Sequence, residues 1–173
     1  MTRYAVAMRI LPLLALTACF ASGPRPCEPP GTQVTAPQAA GCLAIEDGRL
    51  LMVRDSAGWT IPAGRMKDGE SSSDAAKRET REEAGVEVTV GPPVCAVLAN
   101  HFVAHACFVP GAPQQPQADG VETSAARWVS REELEAMSPA ELRFPEQRAT
   151  WLGVMEGANR AMERLQRGEG PPE

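Results

Sequence analysis

Between Gly64 and Val86 the chain reads Gly-Arg-Met-Lys-Asp-Gly-Glu-Ser-Ser-Ser-Asp-Ala-Ala-Lys-Arg-Glu-Thr-Arg-Glu-Glu-Ala-Gly-Val. Glu79, Glu82 and Glu83 stand at i, i+3 and i+4, so a helix puts all three on one face. Carboxylates crowded in this way repel unless cations lie between them. Hard divalent ions with oxygen ligands suit such a site, Mg²⁺ above all, with Mn²⁺ as a substitute. Arg78 lies four residues before Glu82 and can also reach back toward Glu70; either pairing fixes a carboxylate in place. The opposite face carries Ala76, Thr80 and Ala84. These are small, so the helix can lie close to a sheet and hold the acids rigidly. A solvated charged face is the plainer reading, as for most charge runs.

The helix that must carry these acids spans 72–84. Ser71-x-x-Asp74 is a candidate capping box, and Gly85 closes the helix as a C-terminal cap. Before it, 41–45 and 50–53 read as strands joined through the Asp47-Gly48 turn signal. Residues 59–62 form a short extended stretch and 64–70 a polar loop. After it, 86–90 reads as a strand, and 94–109 as two strands around a turn near Asn100-His101. Residues 110–121 are a Pro-, Gln- and Gly-rich loop, flexible by composition, and 125–129 a last strand. Ser130-x-x-Glu133 and Ser138-Pro139-x-Glu141 start two short helices. Pro145 opens a long one, with Trp151, Met155, Ala158, Met162 and Leu165 as its buried stripe. Short strands, one acidic helix, more strands and late helices predict an α/β (α+β) protein, a mixed-sheet α/β/α sandwich.

The stretch resembles the signature of the Nudix hydrolases: Gly, five residues, Glu, seven residues, Arg-Glu, an aliphatic, any, Glu-Glu, any, Gly, an aliphatic. Gly64, Glu70, Arg78, Glu79, Glu82, Glu83, Gly85 and Val86 match it. With each residue type at roughly 5–8% of an average sequence, the seven fixed positions match by chance on the order of once in a hundred million alignments. Thr80 departs from the signature, standing where an aliphatic residue is usual. Trp59-Thr60-Ile61-Pro62-Ala63-Gly64 is similar to the Trp-x-Leu-Pro-Gly-Gly entry of many members, with Ala63 for the first glycine. Glu122, six before Trp128, matches a further metal-binding or base glutamate that many members carry.

The resemblance covers roughly 41–137 and implies a loop-helix-loop catalytic motif within the sandwich. It implies hydrolysis of a diphosphate bridge in a small-molecule substrate, a nucleoside diphosphate linked to another moiety, by Mg²⁺-activated water. Glu79, Glu82 and Glu83 are the implied metal ligands, helped by the backbone carbonyl of Ala63 or Gly64. Arg78 fixes carboxylates, Gly64, Glu70 and Gly85 shape the motif, and the base is Glu122 or a glutamate of the motif, such as Glu82. A module that binds a diphosphate without turnover is the competing reading; such a module has no need of three metal glutamates and Arg78. Substrate markers of the subfamilies are absent, so the particular diphosphate stays open. For His101 and His105 a hairpin-end position is favoured over contact with substrate, and for Trp59 packing over stacking on a base.

The 173 residues suit one domain, and 43% hydrophobic with 23% charged residues is a globular balance. Seventeen Lys and Arg against 22 Asp and Glu give −5, with no basic patch for duplex nucleic acid. Arg3 and Arg9, the apolar run 10–16, and Leu16-Thr17-Ala18-Cys19 have the layout of an export signal. The last four residues resemble the lipobox of bacterial lipoproteins. That predicts cleavage before Cys19, acyl chains on it, and a membrane anchor facing the periplasm or exterior. An ordinary cleaved signal releasing a soluble periplasmic or secreted protein is the alternative, and Met8 can serve as the start in place of Met1. The expected organisation is a signal peptide at 1–18, an anchored Pro-rich tether at 19–40, the catalytic domain at 41–167 and a tail at 168–173. With Cys19 lipidated, Cys27, Cys42, Cys95 and Cys107 are an even set for disulfides in an oxidising compartment, with three pairings open. Alternatively they are small core residues. The sequence carries no signal for oligomeric state.

Overall fold

In the computed structural model, which describes residues 27–28, 34–97 and 101–166, strand β1 (Ala39–Glu46) turns back into β2 (Arg49–Asp55). The turn is Asp47-Gly48, with φ of +47° and +71°, and Glu46 faces Arg49 across it. This is the two-residue hairpin that the Asp-Gly pair predicts, because both positions need positive φ. Next come β3 (Gly58–Thr60), β4 (Ala63–Arg65), helix α1 (Ser72–Ala84), β5 (Thr89–Val97), β6 (Phe102–Phe108) and β7 (Ala125–Val129). Helices α2 (Arg131–Ala136) and α3 (Arg148–Gln166) follow, with 3₁₀ turns at Pro139–Glu141 and Pro145–Gln147.

The strands form one mixed sheet ordered β3-β2-β1-β6-β5, with β4 beside β1 and β7 beside β2. Strand β1 runs parallel to β6 and antiparallel to β2 and β4. Alternate residues of a strand face opposite sides, and the two cores divide accordingly. Ala40, Cys42, Ala44, Leu51 and Val53 pack under α1 with Ala75, Ala76 and Ala84. Leu43, Leu50 and Met52 pack on the other side against Leu134, Trp151 and Met155 from α2 and α3. Helices on both faces of a mixed sheet make the α/β/α sandwich. Trp151 and Met155 are buried as the stripe predicts and Ala158 is half-buried, while Met162 and Leu165 lie outside the described side chains.

Several boundaries differ from expectation. Residues 86–88 form no strand, because their would-be partner β6 ends at Phe108, opposite Thr89. Val86 and Val88 are instead buried under α1, and the Gln114 side-chain amide takes the place of a strand, pairing with both the N–H and the C=O of Glu87 at 2.9 and 3.0 Å. β5 runs on through Pro92 and Pro93 with shifts in register there, as suits an edge strand. The 64–70 loop begins as β4, and the second late helix is only a 3₁₀ turn. Asn100 of the expected turn lies outside the described residues; His101 follows at φ +47°. Within the stretch read as a tether, Ala39 and Ala40 already pair in the sheet. Disulfides join Cys27 to Cys95 and Cys42 to Cys107, one on each face of the sheet. Among the described residues no helix is long and apolar enough to cross a membrane.

β1 and β4 are unusually close where Gly41 faces Ala63. A methyl on Gly41 would meet Ala63 Cβ at 2.6 Å and Pro62 O at 2.7 Å, both on the segment leading into the glutamate motif. Gly41→Ala should therefore cost about 1–3 kcal/mol as overpacking. Gly153→Ala, in α3 where an added methyl meets nothing, should gain up to about 1 kcal/mol. Thermal denaturation of the two variants beside the parent checks both signs.

Candidate active site

α1 starts cleanly. Ser71 Oγ accepts from the Asp74 N–H at 3.1 Å and donates to Asp74 Oδ2 at 2.6 Å, so only the Ser half of the expected capping box forms. It ends at Gly85, left-handed at φ +64°, whose N–H donates to Arg81 O. Thr80, the residue that departs from the signature, is fully buried; its hydroxyl donates to Ala76 O at 2.8 Å. That back-bond satisfies the polar atom inside the helix and leaves the methyl to pack.

Arg78 is the hub of the site. Its Nε donates to Glu70 Oε1 at 2.7 Å and one Nη to Glu70 Oε2 at 2.9 Å, a two-pronged pairing. The same Nη donates to Arg65 O, and the other donates to Glu79 Oε1 at 2.7 Å and Glu82 Oε2 at 2.9 Å. All five guanidinium N–H groups are thus used. Both pairings open in the sequence are present together. Glu70, which also accepts from the Lys67 N–H at 2.7 Å, is held far below the usual carboxylate range, to about 2, by Arg78 first and that N–H second.

The structure brings Glu79 and Glu83 together with Glu122; each offers a carboxylate oxygen within 4.8 Å of the others. Glu82 lies outside that trio, half-exposed and held by Arg78, with Lys67 Nζ 3.9 Å away. Helical spacing put Glu79, Glu82 and Glu83 on one face. Arg78 divides that face, bonding Glu79 on its buried side and Glu82 on its solvent side. Ala63 contributes its N–H, which donates to Glu83 Oε2 at 2.9 Å. Gly64 is explained by contact: a methyl there would lie 2.2 Å from Glu79 Oε1. Burial raises Glu83 to about 8, against the Ala63 N–H and with the charges of Glu79 and Glu122 adding to it. Burial likewise raises Glu79, opposed by Arg78. Close, desolvated carboxylates that resist carrying charge together fit a divalent cation with oxygen ligands.

Glu122 reaches the trio from the loop before β7, and that loop is well tied, contrary to its composition. Trp128 Nε1 donates to Gln114 O, Gln117 N–H donates to Ala84 O, and Asp119 Oδ1 accepts from the N–H groups of Val121, Glu122 and Thr123. Sequence reasoning missed Gln114, Asp119 and Thr123; the signal for the last two was Asp119-Gly120-x-x-Thr123, an acid before a glycine with a hydroxyl four residues on. The histidines part company. His101 is at the hairpin end as read, but His105 is buried in β6. Its Nδ1–H donates to Gly91 O at 3.0 Å, so in the neutral ring Nε2 accepts from Ser72 Oγ at 3.0 Å. Trp59 packs on the α3-side core, with the Arg127 guanidinium over its ring at 4.9 Å.

Residues 35–151 match the NUDIX domain family. The chain is 34% identical over 106 residues to the CTP pyrophosphohydrolase of Escherichia coli (strain K12), covering 56% of this chain and 77% of that one. It is also 34% identical over 89 residues to a Bacillus subtilis (strain 168) protein provisionally named an 8-oxo-dGTP diphosphatase, covering 49% of this chain; the match spans only 60% of that relative. Among solved structures, an ADP-ribose pyrophosphatase from Streptococcus suis superposes with a TM-score of 0.51 at 23% identity, covering 69% of this chain and 92% of that one. A NUDIX hydrolase from Nitrosomonas europaea does so with 0.54 at 18% identity, covering 82% and 78%. These last two likenesses show the fold. With the signature from Gly64 to Val86, the α1 loop-helix-loop and a family match across most of its length, the chain belongs to the Nudix family.

Proposed function

We propose that the protein is a Mg²⁺-dependent pyrophosphohydrolase, with Mn²⁺ as a substitute, that cleaves the diphosphate linkage of a nucleoside diphosphate joined to another moiety. The observation that carries this reading is the carboxylate trio Glu79, Glu83 and Glu122, two of its members buried and one held by the Arg78 hub. The pyrophosphohydrolase relative in Escherichia coli supports it. Glu79, Glu83 and Glu122 would hold the divalent cation, which would activate water and neutralise phosphate charge. The chain supplies the rest. Water attacks phosphorus, the bridging P–O bond breaks, and the water proton passes to a carboxylate. Glu122, the exposed member of the trio, is placed to take that proton and pass it to solvent. Arg78 and Ala63 hold Glu79 and Glu83 without reorganisation during the reaction. Glu82, beside Lys67, stands next to the trio as a further ligand or base.

We further propose that this domain lies outside the cytoplasm, on a lipid anchor at Cys19. Cys19 and residues 1–18 lie outside the described residues. The export-signal layout and the two cysteine pairings, which suit an oxidising compartment, support that placement. Intact mass of the protein made in a bacterium is the check: a diacyl or triacyl form is expected from the parent and an uncleaved precursor from Cys19→Ser. An unlipidated mature parent refutes the anchor.

A screen of purified residues 19–173 with Mg²⁺ against a diphosphate library tests the activity. Turnover abolished by chelation is expected, and Glu83→Gln should lower kcat/KM on the order of 10²-fold or more, the scale of losing one preorganised electrostatic group. Tight Mg²⁺-dependent binding of one member with no turnover of any would favour a binding module.

The site also fixes a pH dependence. Glu83 is raised in the folded state from 4.5 to about 8. Its protonated form therefore contributes stability below about pH 4.5 that is lost as pH rises through about 8. Metal-free protein should melt at progressively lower temperature across that window, and Glu83→Gln should flatten the slope. Mg²⁺ at the upper end should restore the parent more than the variant. Melting curves at several pH values decide it; an identical slope in Glu83→Gln removes Glu83 from the account.

A further inference from the structure

We infer that Asp119 and Thr123 are positioning residues that set Glu122 against Glu79 and Glu83. The inference rests on the hydrolytic reading and deepens it. Among the described residues the Glu122 carboxylate makes no hydrogen bond, and the residue is exposed. Its place in the trio must come from its backbone, and that backbone is held by one side chain. Asp119 Oδ1 accepts from Val121 N–H at 3.0 Å, Glu122 N–H at 3.1 Å and Thr123 N–H at 2.8 Å; Oδ2 lies 3.2 Å from the Glu122 N–H. Gly120 completes the loop at φ +74°, its N–H donating to Thr123 O at 3.0 Å.

Thr123 ties this loop to the other acids. It is buried, and its hydroxyl, with one proton, lies 2.8 Å from Glu83 O and 3.0 Å from Asp119 Oδ1. Glu83 O is among the carbonyls that the end of α1 leaves without an intrahelical partner. Its neighbour Ala84 O accepts from Gln117 N–H at 2.8 Å. The loop is thus gauged from the backbone of Glu83 itself, and the residue beside Glu122 makes the measurement. Two carboxylates on separate elements are set through Thr123 and Asp119: the Thr123 hydroxyl proton lies between Glu83 O and Asp119 Oδ1, the Thr123 N–H donates to Asp119 Oδ1, and the same oxygen accepts from the Glu122 N–H.

The test compares Asp119→Ala, Asp119→Asn, Thr123→Val, Glu122→Gln and the double variant Asp119→Ala/Glu122→Gln in the full chain. Asp119→Ala should lower kcat by about 10–100-fold, the scale for outer partners of a metal site, with KM within about threefold. Asp119→Asn keeps an accepting oxygen and should recover most of the loss. In the Glu122→Gln background Asp119→Ala should cost nothing more, because a residue acting only through Glu122 has nothing left to position. Mn²⁺ binding, read by electron paramagnetic resonance, should change by the same factor in Asp119→Ala as in Glu122→Gln. Multiplicative losses in the double variant, or different Mn²⁺ factors, overturn the inference. Impaired Glu122→Gln beside unimpaired Asp119→Ala overturns it alone. Normal turnover by Glu122→Gln overturns the role of Glu122 and the inference with it. If circular dichroism shows Asp119→Ala unfolded, Thr123→Val, equal in shape but without the hydroxyl, carries the same comparisons.

Discussion

One guanidinium organises this site. Arg78 spends its five N–H groups on Glu70, Glu79, Glu82 and the Arg65 carbonyl. Those partners come from the loop before α1, from β4 and from α1 itself. Without that cation, three acids on two turns of helix would repel one another and loosen the loop that leads into them. With it, the repulsion becomes selective. Glu70 is made strongly acidic and structural, Glu82 is turned to solvent, and Glu79 and Glu83 are left in a desolvated pocket where charge is unwelcome. The unfavourable electrostatics that remain are concentrated where a cation would relieve them.

The sheet makes such concentration possible. Small residues face α1 from both sides: Ala75, Ala76, Thr80 and Ala84 on the helix, Ala40 and Ala44 on β1. Tight seating leaves the carboxylates no freedom to move apart by sliding the helix away. Gly41 and Gly64 remove the last side chains that would separate the β4 segment from β1 and from Glu79.

What could be read from the sequence was what is set locally. The helix bounds, the Asp47-Gly48 turn, the shared face of the glutamates and the reach of Arg78 to Glu70 follow from spacing alone. Glu122 was legible only through the family resemblance. What was not legible depends on distant partners. The burial of 86–88 follows from where β6 ends, and the ordering of a Pro- and Gln-rich loop follows from Gln114, Gln117 and Thr123 meeting groups far away in the chain. Polar side chains that stand in for secondary structure leave little periodic trace.

The pairing of the cysteines has a consequence for how such a chain can be made. Cys27 pairs with Cys95 and Cys42 with Cys107, so the two bonds interleave along the chain, the first spanning Cys42 and the second spanning Cys95. If the chain is exported N-terminus first, as proposed, and oxidised as it emerges, Cys27 and Cys42 would meet long before Cys95 is available. Consecutive oxidation would join the two cysteines that belong on opposite faces of the sheet. Correct pairing under such conditions would need either the sheet to form before the thiols are consumed or an isomerase to exchange them afterwards.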